Sequence, residues 1–300
     1  MAMTFAELAR RGLVLGTGAA ATLSALGVPA GWPFVAKMYI HHYDPQPFFD
    51  AAKTWLSVHD DVAAARLDVE ALVSEVATAS WRSEDGRAFQ RRMGDYLAGL
   101  RGIEIRAVVT ALTLYTAGAA LAAMVLFQFL VAAVLAALAL WVLAAAVTPL
   151  SLAGARILAM QCLIKLFEGY RAVESLFDAL LHGCAAALSA AVAVDVGARM
   201  ARGDRSGLND LASATLAQGP MLVWGTANRI ERDLTAHGIS GRFPAGGLWA
   251  GSRAGTPLPA GLPQLAGAKA VGDLTSGGQT VTGRYVPEQA PDGSYTFPWE

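Results

Sequence analysis

Residues 107–150 read AVVTALTLYTAGAALAAMVLFQFLVAAVLAALALWVLAAAVTPL, and the uncharged run extends from Ala107 to Ala155, 49 residues in all. As one straight helix it would be about 70 Å long at roughly 1.5 Å per residue, against about 30 Å for the hydrocarbon core of a bilayer and about 20 residues per span. The length therefore predicts two spans and a reversal. Gln128, the only amide in the run, places that reversal near Phe127-Gln128-Phe129, and Pro149, which has no N–H to continue a helix, ends the second span. Arg101 and Arg106 precede the run and Arg156 and Lys165 follow it, so both mouths of such a hairpin fall on one cytoplasmic side. Small residues four apart, Ala119 with Ala123 and Ala132 with Ala136, allow close helix packing. So much alanine also suits a soluble helix buried all round, and that reading stays open.

Composition points the same way. Of 300 residues, 54% are hydrophobic and 16% charged, with a mean hydropathy of +0.41, outside the ordinary soluble range. A net charge of −1 with no long Lys/Arg block lacks the cationic footprint that a nucleic-acid partner requires. The two cysteines, Cys162 and Cys184, are too far apart for a CxxC site and are expected as buried small hydrophobes.

Working outward toward the N-terminus, residues 48–106 carry two amphipathic patterns. In the first, Phe49, Ala52, Leu56, Val62, Ala65, Val69, Leu72 and Val76 recur mostly at steps of three and four, with Lys53, Asp60, Asp61, Arg66, Asp68, Glu70 and Glu75 on the other face. In the second, Phe89, Met93, Tyr96, Leu100 and Ile103 step likewise; Ser83 is suited to cap this helix, and Glu84 and Asp85 suit its positive end. The pair predicts an antiparallel helical hairpin.

At its bend stand Trp81, Ser83, Gly86, Ala88 and Phe89. This Trp-x-small motif between two striped helices resembles the WXG family of type VII (ESX) secretion substrates, with Ser83 where that family has glycine. The similarity covers about residues 48–105. It implies an interaction protein whose hairpin pairs with a WXG-type partner, or with a second copy, through Phe49, Leu56, Leu72, Val76, Met93 and Leu100 in a four-helix bundle. It also implies the type VII apparatus as a partner, and Tyr170 with Glu174 matches the letters of that family's Tyr-x-x-x-Asp/Glu export signal, one turn apart on a helix face.

The remaining segments are an apolar N-terminal helix and connector (1–47), a further helical region (151–237) interrupted at Gly219-Pro220 with Gly238 as its stop, and a tail (238–300) with thirteen glycines and seven prolines. Such a tail is expected to be mostly flexible, except for a small β-hairpin or an aromatic docking tail over 280–297. Arg10-Arg11 ahead of an apolar run ending Val28-Pro29-Ala30 resembles a twin-arginine export signal, but the preferred reading is an apolar helix that packs on the rest of the chain or lies at an interface. His41-His42-Tyr43-Asp44 is expected as a solvated linker, and no metal, cofactor or catalytic constellation is expected. The chain is thus expected to be all-α: a WXG-like hairpin, a transmembrane hairpin over 107–150, further helices and a loose tail. Its place is the cell membrane or, through type VII secretion, the exterior, and its role is non-enzymatic. The competing readings are a resident inner-membrane or pore-forming protein and a twin-arginine-exported envelope protein.

Overall fold

The computed structural model describes residues 3–78, 83–201, 203–241, 256–259, 261–275 and 280–297. They are almost entirely helical: α1 (Phe5–Ala25), α2 (Trp32–Ile40), α3 (Gln46–Thr78), α4 (Glu84–Ala144), α5 (Pro149–Ala201), α6 (Ser206–Ala217), α7 (Gly219–Ser240), α8 (Leu262–Thr275) and the single turn α9 (Val281–Arg284). Two residues of β1 (Glu288–Gln289) pair antiparallel with β2 (Tyr295–Thr296). The chain divides into two compact units, one of residues 1–44, 122–177 and 199–300, the other of 45–121 and 178–198.

The expected reversal near Gln128 does not occur. α4 runs unbroken for 61 residues, and the chain turns only through a short 3-10 stretch, Ala145–Val147. Gln128 stays in the helix because its amide is satisfied sideways: it is buried, and its Nε2 donates to the Tyr170 hydroxyl of α5 at 3.0 Å. Pro149 opens α5 instead of ending a span. Thr148, in an extended conformation, accepts the Ser151 N–H on its hydroxyl, and proline is well tolerated in a first helical turn. The hydrophobic hairpin is therefore α4 with α5, not two halves of 107–150.

In the first unit, α1 and α2 pack on residues 122–142 of α4 and 155–177 of α5. The inward face of α4 is Ala122, Val125, Gln128, Ala132, Leu135, Ala139 and Val142; that of α5 is Ala155, Ala159, Leu163, Tyr170, Glu174 and Phe177, again at helical steps. Leu8 and Ala9 of α1 meet Val125, and a Cβ on Gly12 would lie 3.4 Å from the Phe129 backbone. Leu13, Ala20 and Leu23 are buried, so α1 is part of this core. Its C-terminal end is held by Arg156, whose Nε donates to the Leu26 carbonyl at 2.5 Å, a cation on the negative end of a helix.

The described residues of the Gly/Pro-rich region form more regular structure than their composition implies. α8 lies against α7 and α2, with Ala270 and Leu274 buried, and Gly267 is required there because a Cβ would stand 2.7 Å from the Trp32 ring. α7 continues past the expected stop at Gly238 to Ser240, and Gly241, at φ +72, ends it. Within 280–297 the first expected strand is α9, while the second pairs as β2. The tail also docks through aromatics: Trp224 Nε1 donates to the Thr282 carbonyl, Phe297 packs edge-on to Trp224, and the Tyr295 hydroxyl donates to Gln218. Glu231 of α7 fastens α9, accepting from the Val281 and Thr282 N–H groups and the Thr282 hydroxyl. Burial pushes the Glu231 carboxyl up, but those bonds and Lys269 outweigh it and hold the carboxyl at about 2.

In the second unit, Arg66 of α3 pairs with Glu104 of α4 at 2.5 Å, Phe49 packs at a tilt against Tyr115 and lies against Gly118, and Arg106 pairs with Asp195 of α5. The first two contacts run α3 and α4 antiparallel. Ser83 caps α4, its Oγ accepting the Gly86 N–H at 3.2 Å. Trp81 lies outside the described residues.

Candidate functional site

Two helical stretches, Glu84–Val147 and Pro149–Ala201, are long and apolar enough to cross a membrane, and in their most apolar windows only 28% and 0% of the residues are buried. In the first unit the outward faces carry Leu126, Leu130, Val134, Leu140 and Trp141 on α4 and Ile157, Leu158 and Ile164 on α5, all exposed. At the turn, Val147 and Leu150 are each 86% exposed. Full burial of such side chains is worth up to about 1.5–3 kcal/mol each, and their exposure on two helices of this length is compatible with membrane association.

The flanking cations do not lie where a 107–150 hairpin would put them. Arg106 meets Asp195, so position 106 is level with 195 and not with 156 or 165. Arg101 is exposed, Lys165 is exposed and paired with Glu168, and Arg156 caps α1. The physical reason is the unbroken α4, which carries the turn to 145–148.

Tyr170 and Glu174 share a helix face as their spacing requires, but that face points inward. Tyr170 is fully buried, edge-on to Phe34, and Glu174 is 9% exposed. Glu174 accepts from Lys37 Nζ at 2.8 Å and bonds His41 Nε2 at 2.6 Å, while His41 Nδ1 bonds the Tyr43 hydroxyl. In this conformation the pair is a packing node and not an exposed signal. The structure thereby also corrects the reading of 41–44 as a solvated linker: His41 and His42 are each 5% exposed. No sequence signal links His41 to a carboxylate 133 positions away.

His42 is the least satisfied member of this region. Its Nδ1 is buried with no partner among the described residues, and its backbone carbonyl accepts from Arg232. Burial, reinforced by the Arg232 charge, pushes its imidazole down to about 4. A folded-state value below the ordinary 6.5 means that the unfolded chain binds the proton first, so stability is full above pH 6.5 and falls as the pH drops toward 4. His42→Phe is expected to flatten that slope, read as the thermal midpoint between pH 7 and pH 4; an unchanged slope would place the titration elsewhere.

The predicted pairing residues divide. Leu56, Leu72 and Val76 of α3 are exposed, Leu72 at 62%, while Phe49, Phe89, Met93 and Leu100 are half-buried. Gly86 is buried and Ala88 exposed at the start of α4. Cys162 is exposed and Cys184 half-buried, against the expectation of burial, because Cys162 falls on the outward face of α5. Among the described residues no three His, Cys, Asp or Glu side chains gather as a metal cluster.

The class defined so far is an all-α protein with two membrane-length helices. No family model, no curated protein and no solved structure matches the chain.

Proposed function

We propose that this chain is a non-catalytic, membrane-inserting interaction protein of the WXG-like, type VII secretion-associated kind. The apolar helices α4 and α5 enter the bilayer, and the α3–α4 hairpin pairs with a second WXG-type hairpin or another copy. The observation that carries this reading is the exposed apolar surface of α4 and α5, culminating in Val147 and Leu150. The exposed stripe of Leu56, Leu72 and Val76 supports the pairing, since such a row on a helix is buried only by a partner.

Burial of Tyr170 and Glu174 favours one alternative, a resident inner-membrane protein that is not exported, because a secretion motor has no access to a buried pair. The twin-arginine reading draws less support, since cleavage after Ala30 would remove α1 and uncover Val125 and Ala132.

The test is coexpression of the full chain with a WXG-type hairpin protein, followed by alkaline carbonate washing and detergent copurification. Retention in the pellet with the partner, and loss of the partner in Leu72→Glu, is the expected result. Release into the carbonate supernatant as a partner-free monomer would overturn it.

A further inference from the structure

A cleft of about 830 Å³ opens in the first unit between α2, α5 and the end of α7. Its walls include Pro29, Trp32, Met160, Leu163, Ile164 and Phe167, and its rim carries Glu168 and Arg171. The geometry points to a seat for one acyl chain of an anionic phospholipid, with the phosphate at Arg171. This deepens the membrane reading and rests on it.

Three observations converge on that occupant. The first is depth. From Pro149 to Lys165 α5 climbs about 24 Å, close to the roughly 30 Å of a hydrocarbon core, and the only charge on the way, Arg156, is spent on the Leu26 carbonyl. The charged level of Lys165, Glu168 and Arg171 therefore falls at the height of lipid headgroups, and the cleft lies at that level.

The second is charge. Glu168 is taken up by Lys165 at 3.1 Å, while Arg171 is exposed and makes no ion pair or hydrogen bond among the described residues. A free guanidinium beside an apolar cleft suits a phosphate, which it binds in bidentate fashion. The third is access from the lipid side. The exposed Ile157, Leu158 and Ile164 continue the cleft onto the outward face of α5, giving a chain a path in from the bilayer.

The test uses the full chain in vesicles carrying phosphatidylglycerol with a photoactivatable group in one acyl chain, or the phosphatidylcholine analogue. The expected result is labelling of the 160–168 and 29–33 peptides, with phosphatidylglycerol preferred about fivefold, the equivalent of about 1 kcal/mol for one cation at a membrane surface. Arg171→Gln removes the preference, and Ile164→Trp, a substitution at an exposed site that fills the mouth, suppresses labelling by both lipids. Labelling spread evenly along α4 and α5, a preference untouched by Arg171→Gln, or a cross-link placing residues 242–255 in the cleft would each overturn the seat. A chain that floats with vesicles but is not labelled at the cleft refutes the seat alone; a chain that does not float refutes the membrane reading itself.

Discussion

Leu140→Asp is expected to lower the partition of the protein into lipid vesicles about a hundredfold while leaving its helix content unchanged. Leu140 is 67% exposed on α4, five residues before the turn that begins at Ala145, with Leu143, Val147 and Leu150 exposed nearby. In water, replacing an exposed leucine by a charged residue changes stability by no more than about 0.5 kcal/mol. In the interior of a bilayer the same carboxylate costs about 2.5–3.5 kcal/mol, and aspartate is too short to reach the interface as lysine can; at about 1.4 kcal/mol per decade this is the hundredfold. Leu216→Asp on α6, more exposed still but off the long helices, is the control and should leave partition unchanged. Equal partition of Leu140→Asp and the parent chain in vesicle flotation would show that this face is covered by protein and not by lipid.

The second large effect is expected at Glu174. Glu174→Ala removes the acceptor shared by Lys37 and His41 and leaves two donors facing an apolar core beside Phe177. Breaking a buried pair in this way costs about 3–5 kcal/mol. The lower end applies here, because Lys37 is half-exposed and can turn toward solvent. The loss should appear as faster hydrogen exchange in α2, which this node pins to α5. Replacing the whole cluster, Glu174→Leu with Lys37→Leu and His41→Leu, should recover most of it, because apolar side chains of similar volume are tolerated where unpaired polar groups are not. If Glu174→Ala exchanges at the parent rate, the cluster does not hold α2.

Much of the local structure was legible from spacing. The stripe through Phe49, Leu56 and Leu72 specifies a helix, and the start of α4 was legible at Ser83, whose hydroxyl takes the Gly86 N–H. The break at Gly219-Pro220 separates α6 from α7. The turn at 145–148 departs from expectation although it carries a start signal: Thr148-Pro149 is a cap followed by a first-turn proline, and Pro149 resembles a stop only where a helix before it has already ended. α8 was not legible at all. Residues 262–275 are poor in large apolar side chains, and α8 packs on distant elements, α7 and α2, where Trp32 meets Gly267 from 235 positions away in sequence. The same holds for His41 and His42, whose burial depends on Glu174 and Arg232.

By itself, the sequence determined that the chain is helical and that it holds more apolar surface than its own elements can hide. Periodicity and composition are local properties, and both survive whatever the neighbours do. Only the tertiary structure decided where the long helix turns back and which face of α5 points inward, placing Tyr170 and Glu174 in the core and Ile157 and Leu158 outside it. Those are questions of which distant segment meets which face. Helical spacing shows that two residues share a side, but only the partner across the interface determines whether that side meets protein or lipid.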